Sequence, residues 1–419
     1  MSQHAERSSS PRPHLGRVRA EPKREDRAVT TLELFLDLVF VFALTQVTAF
    51  MADHLTATGL VQGLLVIALL WWSWTGYAWL GNLVEADEGV ARIGMFAAMA
   101  AMFVLALCIP EAFDDLPGGL DGPVVVAVCY LVFRMLHLGL FYLLSGDDSG
   151  LRGQLLRFTP AVLAGTALLL VAAGTDGAAQ TWLWAAALAA DYGGTWLGGA
   201  RGWRIRSARH FAERHGLIVI IALGESIVAI GVGVALLPIS WPIVVASVLG
   251  LTLSGALWWA YFDMTALRAE RAFAATPDDD RARFGRDAYT FVHLPLVAGV
   301  VLLALGLKKV LEYVGDTEAH GLADPLKGVA LIALVGGVGL YLLASVAFAA
   351  SAGAAVERVR LVVALLLLPL AWAGSALPAL AMLGLLTGVM VALVAYESLR
   401  DAEARHRLRH EDGHAATSA

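Results

Sequence analysis

The chain has 419 residues, of which 58% are hydrophobic and 16% charged, and its mean hydropathy is +0.69. Apolar runs long enough to cross a bilayer recur from end to end, which excludes a soluble globular protein and predicts an all-α, polytopic helical membrane protein. The formal net charge of -6 says little, because a membrane sorts charges by side, and Cys108 and Cys129 lie within apolar runs as small core residues, not as a disulfide or metal framework.

Residues 1–29 are rich in Ser, Pro and Arg without apolar period, so they are expected to form a disordered basic arm. The apolar run that follows is too long for a signal-peptide core and has no clear small-x-small cleavage site, so it is expected to be retained as an anchor. Runs of about 20 apolar residues predict twelve spans, near 31–52, 58–80, 91–110, 122–144, 155–174, 180–199, 213–235, 239–262, 288–308, 325–349, 356–374 and 376–397. The short connections within 155–199 and 356–397 make the count least secure there. With the N-terminus inside, only Lys308, Lys309 and Lys327 fall outside and Arg134 lies within a span, whereas every other basic residue falls inside. That asymmetry predicts an even span count in a bacterial plasma membrane, with both termini cytoplasmic.

In the first span Glu33 and Asp37 interrupt Thr31-Leu32-Glu33-Leu34-Phe35-Leu36-Asp37-Leu38-Val39-Phe40 and, four residues apart, share one helix face. An acid at the centre of a lipid-facing helix costs roughly 2.5–3.5 kcal/mol, so such residues face a bundle interior, a partner or water. Thr30-Thr31-Leu32-Glu33 fits a capping box, a sufficient local reason for Glu33 that leaves room for a functional role beside it. Asp37 lies a turn deeper and has two readings, a structural ion pair or a proton or cation site. Its expected partner is Arg134 in the fourth span, which shares a face with His137 at a spacing of three. His137 is read either as a packed, hydrogen-bonded side chain or as a proton acceptor.

The seventh span holds His215 and Leu223-Gly224-Glu225-Ser226. Glu225 is roughly 15 Å beyond His215 at 1.5 Å per residue, which places it near the midplane and makes it the strongest candidate for an intramembrane site. Asp191 in the sixth span, Asp263, Tyr289 and His293 complete the polar set. Asp263 and Tyr289 are expected at the interface. His293 precedes Pro295, where a disturbed helix could free carbonyls for a cation.

Aligning Trp71-Trp72 at the end of the second span with Trp258-Trp259 at the end of the eighth brings Asp37 within one residue of Glu225. Two readings stand: interfacial aromatic belts, or two parallel six-span halves over 30–200 and 201–397, followed by a tail over 398–419.

At these residues the chain resembles the bacterial low temperature requirement protein A (LtrA) family. The resemblance runs over about 28–400 and rests on Glu33-Leu-Phe-Leu-Asp37, the Arg134/His137 span, Glu213-Arg-His-Gly with Leu-Gly-Glu225-Ser226, and Trp258-Trp259-Ala-Tyr261-Phe262-Asp263. It departs at His215, where the family commonly has Phe. The resemblance implies an integral membrane protein whose loss impairs growth in the cold, and no particular molecular activity.

Zinc-protease, phosphate-loop and Ser-His-Asp patterns are missing, so neither an enzyme nor a cofactor is expected. The leading expectation is a secondary transporter or ion-conducting protein that binds protons, cations or a small solute through Asp37, Glu225, Arg134, Glu33, His137, Ser226 and His293. The alternative is a non-transporting scaffold or sensor, with the buried charges as interhelical fasteners and basic loops against anionic lipid. An intramembrane enzyme acting on lipid ranks last, and nucleic acid is not an expected partner.

Overall fold

A computed structural model describes residues 28–83, 89–146, 148–200, 202–353 and 357–405. All but the last two residues of the basic arm, and most of the C-terminal tail, lie outside these. The described residues form a helical bundle: α1 (Thr31–Asp53), α2 (Ala57–Leu83), α3 (Gly89–Leu107), α4 (Gly122–Leu144), α5 (Ser149–Ala173), α6 (Gly177–Gly198), α7 (Ala208–Val234) and α8 (Trp241–Phe262) come first. The short α9 (Thr265–Ala274) and α10 (Asp278–Phe284) lead into a π-helical turn over Gly285–Phe291, and α11 (His293–Gly315), α12 (Gly328–Ser351), α13 (Arg358–Gly374) and α14 (Ala379–Arg400) complete the chain.

Among the described residues, ten helical segments are long and apolar enough to cross a membrane. The remaining long helices, α6 and α13, fall outside that set and lie in the two regions where short connections made the count least secure. Helices α1, α4 and α7 carry side-chain N-caps from Thr30, Asp121 and Ser207, which satisfy amides that the helix leaves unbonded. Leu38, Ile93, Leu156, Leu366 and Trp372 are exposed on the outer surface, as expected of side chains that meet lipid. Cys108 and Cys129 are free and half-buried.

The packing repeats. Within the first six long helices α1 touches α2 and α3, α3 touches α4, α4 touches α5, α5 touches α6, and α6 returns to α2. In the second six, α7 touches α8 and α11, α11 touches α12, α12 touches α13, α13 touches α14, and α14 returns to α8. The first helices of the two sets, α1 and α7, pack against each other. The aligned tryptophans differ in environment: Trp71 and Trp72 are buried, whereas Trp258 and Trp259 are 44% and 43% exposed.

An ionic cluster ties the last helices together. Arg360 donates to both oxygens of Glu397 (2.7 and 2.9 Å), to the Ala260 carbonyl (2.8 Å) and to Thr265 (3.0 Å), so one guanidinium joins α13 to α14, α8 and α9. Arg268 and Arg400 both reach Glu357 and Asp401. Asp401 lies just beyond α14, and its bond with Arg400 holds its carboxyl below the usual carboxylate range against the opposing effect of partial burial. A depressed carboxylate keeps its stabilising charge at neutral pH and loses it only as pH falls through the lowered value. Arg360→Ala is expected to cost about 2 kcal/mol, the scale of charged hydrogen bonds lost around a partly buried partner, and thermal unfolding in detergent should register the loss.

Candidate functional site: the seam between α1 and α7

Three of the acids singled out from sequence, Glu33, Asp37 and Glu225, lie along the contact of α1 with α7, in rungs that climb both helices together. Nearest the helix starts, Glu33 closes the expected capping box: the Thr30 amide donates to its carboxylate at 2.9 Å and its own amide donates to Thr30 Oγ1 at 3.3 Å. The same carboxylate faces His210 Nε2 at 3.2 Å. Glu33 is therefore both a cap and an interhelical contact. Asn82, at the end of α2, braces this corner by donating to the Ser207 carbonyl at 2.7 Å and accepting from the Arg206 amide at 2.7 Å.

One turn on, Asp37 is held by Arg214. Nη1 donates to Oδ2 at 2.5 Å and Nη2 to Oδ1 at 2.8 Å, while Trp74 Nε1 adds a third bond to Oδ1 at 2.8 Å. Both charged side chains are 1% exposed, and the guanidinium also lies over the Trp74 ring. The expected pairing of Asp37 with Arg134 is thus corrected. Arg134 instead donates to Asp191 at 3.3 Å, and Asp191 also accepts from the Tyr130 hydroxyl, so this second pair joins α4 to α6.

The third rung lies eight residues past Asp37 and eleven past Arg214. Glu225, 1% exposed, accepts from Thr45 Oγ1 at 2.5 Å, while the nearby Thr48 hydroxyl donates to the Leu44 carbonyl of its own helix at 3.1 Å. Among the described residues no Arg, Lys or His lies within ion-pair distance of it. Glu33 to Asp37 and His210 to Arg214 are both steps of four, and Thr45 with Glu225 lies further along both helices in the same direction, so α1 and α7 run parallel. Ser226 faces away from this rung, sharing a 2.7 Å bond with Ser254 of α8.

His293 belongs to a packed aromatic centre. Its Nε2 meets the Tyr261 hydroxyl at 2.8 Å and its Nδ1 meets the Ala288 carbonyl at 3.1 Å. The disturbed helix expected near Pro295 is present as the π-helical turn just before His293, and the Ala288 carbonyl is engaged by the imidazole. His215, with Nδ1 on the Phe211 carbonyl at 2.8 Å, lies 5.3 Å from His293 ring to ring and 5.1 Å from Trp74. Tyr289 is 1% exposed within this cluster, not interfacial, because the π turn rotates it against Phe211 and His293. Asp263 does lie at a helix end, paired with Arg405 at 3.2 Å.

His137 is 2% exposed and is hydrogen-bonded to neither pair. Its ring lies against the backbone of Gly76, where an added Cβ would come within 2.9 Å of Nε2. The polar residues therefore form three places, not one: the α1–α7 seam, the Arg134–Asp191 pair with His137 near it, and the His215–His293 centre.

Arg214, Asp191, Thr45, Thr48, Trp74 and Asn82 carry much of this geometry, and sequence reasoning gave none but Asp191 a place. A usable signal existed for Arg214. The acids at spacing four in the first span are matched by basic residues at the same spacing, His210 and Arg214, at the start of the seventh.

Over residues 28–395 the chain matches the family model for bacterial low temperature requirement A protein (LtrA). It is also similar to Uncharacterized protein RA0937 of Rhizobium meliloti (strain 1021), with 29% identity over 289 residues that cover 65% of this chain and 67% of the relative.

Proposed function

Since the chain belongs to the bacterial low temperature requirement A (LtrA) family, whose matched residues include every rung of the seam, we propose that it is a secondary transporter or ion-conducting protein with Glu225 as its proton- or cation-binding group. The observation that carries this reading is the contrast between the two deep acids of the seam. Asp37 has its charge fully matched by Arg214 in a hydrogen-bonded pair, whereas Glu225 is hydrogen-bonded to the Thr45 hydroxyl and feels the charge of Lys308 in α11 only from beyond ion-pair distance. A buried carboxylate without a counter-charge in contact is costly unless it takes up a proton or a cation. Carboxylate and hydroxyl oxygens are ligands that suit either. The recurring neighbour pattern of α1–α6 and α7–α8 with α11–α14 supports a two-half architecture, with the acid where the first helices of the halves meet.

In this reading the protein sits in the bacterial plasma membrane with both termini cytoplasmic, supports growth in the cold, and has no enzymatic role. Asp37 and Arg134 become fasteners. A second reading, a non-transporting scaffold or sensor, is favoured by their closed, water-excluded pairs with Arg214 and Asp191.

Proton and monovalent-cation flux into proteoliposomes decides between them. The transport reading expects wild-type flux under an imposed pH or ion gradient and its reduction to background in Glu225→Gln, with the gel-filtration profile unchanged. Flux that survives in Glu225→Gln would remove Glu225 from the pathway. No flux under any gradient from folded wild-type protein would favour the scaffold.

A further inference from the structure

Away from the seam, α7 meets the end of α8, α9 and the π-helical turn around a cleft of about 340 Å³. That is room for a small organic ligand. One face of α7 supplies a wall: Glu213, Gly216, Leu217 and Ile220 recur at the three- and four-residue steps of a single helix stripe, which runs about 10 Å from the acid to the isoleucine. The two ends of that wall differ. Glu213 is exposed near the start of α7, whereas Ile220, two turns deeper in the apolar run, is exposed among side chains that meet lipid. Gly216 keeps the wall open, since a Cβ there would point at the Phe262 ring across the cleft, 3.5 Å from Cε1.

The charged groups on the wall are of one sign. Glu213 and, from α9, Glu270 bring carboxylates, and among the described residues no Arg, Lys or His lines the cleft. Glu213 makes no ion pair among the described residues. Tyr289 adds a hydroxyl oxygen from the π turn. Its side chain is 1% exposed and packs against Phe211, two residues before Glu213, which places it at the acid end, and Glu270 is near enough for its charge to act on it. The Tyr289 hydroxyl makes no hydrogen bond among the described residues, yet it is not sealed in protein: the little surface this side chain keeps opens on the cleft. Tyr261, the other tyrosine on the wall, is already bonded to His293 at 2.8 Å. A tyrosine hydroxyl this deep without a partner is uncommon in a packed protein, and it calls for one that enters through the cleft.

We propose that this cleft binds a small organic cation, its ammonium at Glu213 and the Tyr289 hydroxyl with Glu270 beside them, and its apolar body against Phe262 and Leu217 toward Ile220. An ammonium brings N–H donors and a positive charge, and the acid end of the cleft offers acceptors and negative charge. The aromatic rings on the wall suit a cation as well as apolar matter. An anion of the same shape would meet carboxylates on a wall without Arg, Lys or His. The cleft uses none of Asp37, Arg214 or Glu225, so this assignment and the Glu225 reading stand or fall separately.

The test is equilibrium binding of radiolabelled phenethylamine to the full-length protein in phosphatidylcholine nanodiscs, with empty nanodiscs as the blank and 2-phenylethanol and 3-phenylpropionate as neutral and anionic competitors of similar shape. The expected result is saturable binding above the blank, displaced by unlabelled phenethylamine and by neither competitor. Glu213→Gln should weaken it about tenfold, through the loss of one charged hydrogen bond. Tyr289→Phe removes a hydroxyl that has no hydrogen bond of its own to lose, and should weaken binding about threefold. Gly216→Leu, which fills the cleft from a Cβ at ordinary contact distance, should abolish it, and all three variants should keep wild-type unfolding temperatures. Repeating the measurement with phosphatidylethanolamine in the nanodisc separates two sources of the ammonium: suppressed phenethylamine binding identifies a lipid headgroup as the occupant, unchanged binding a free solute, and both support a cation site. Uptake no greater than the blank, equal displacement by 2-phenylethanol or 3-phenylpropionate, or unaltered binding in the folded variants would overturn the proposal.

Discussion

Arg214→Ala is expected to destabilise the protein by about 3–5 kcal/mol, the cost of leaving one member of a buried ion pair uncompensated. The reason lies in the count of bonds. Asp37 accepts two N–H groups from Arg214 and one from Trp74, at 2.5, 2.8 and 2.8 Å, in a site where both charges are 1% exposed. Truncating the arginine strands a carboxylate with a single indole donor in a region from which water is excluded. Asp37→Asn should be nearly as damaging, because it strands the guanidinium. The joint replacement Asp37→Leu with Arg214→Met is the informative control. A buried pair replaced by apolar side chains of similar volume is often neutral, so the double variant should recover most of the unfolding temperature in detergent that each single change loses. Equal stability of wild type and Arg214→Ala would instead show that the pair opens to water. For flux experiments the consequence is practical: loss of transport in Asp37→Asn speaks to folding first, and only the rescued double variant tests whether the charge itself conducts.

The legible parts of this protein were those set by local chemistry. Each of the twelve apolar runs coincides with a long helix because a bilayer demands an uninterrupted set of internal backbone bonds, and that demand is written in composition. The Glu33 capping box was legible for the same reason, being closed within four residues. Pairing across helices was not. Asp37 had two arginines to choose from, and the choice depends on which helix lies against α1; α7 does, and α4 lies against α3 and α5. Arg214 was further concealed because α7 starts at Ala208, five residues before the expected span, so an arginine that reads as the charged edge of a span is well inside a helix and buried. A proline at 295 hinted at irregular helix nearby, but not that a π turn would set Tyr289 into the packed aromatic centre.

Gly337→Val should be as disruptive as the loss of Arg214, for the opposite reason: it adds matter where backbones touch. A Cβ at Gly337 would lie 2.6 Å from the Leu303 amide nitrogen and 2.7 Å from the Gly299 carbonyl oxygen, and one at Gly299 would lie 2.7 Å from the Gly337 carbonyl oxygen. At Gly306 the nearest atom is Leu334 Cα, at 2.4 Å. These are main-chain atoms, which cannot rotate aside as a side chain would, so α11 and α12 must separate along their whole contact. The separation has nowhere to go. α11 is buried nearly all round, and Tyr341, beside the same contact, ties α12 to the Leu257 carbonyl of α8 at 2.8 Å. Overpacking of this kind costs on the order of 3 kcal/mol, and thermal unfolding in detergent should show it together with poor insertion. Gly336→Val supplies the control from the adjacent position. Gly336 is exposed, and its nearest neighbour is Ile332 of its own helix, at 3.8 Å from an added Cβ, so the substitution should change the unfolding temperature little. Equal effects at 336 and 337 would mean that valine acts through helix propensity and not through the α11–α12 contact. A large effect confined to 337 would identify that contact as the rigid post of the second half, against which α7 packs and on which the position of Glu225 depends.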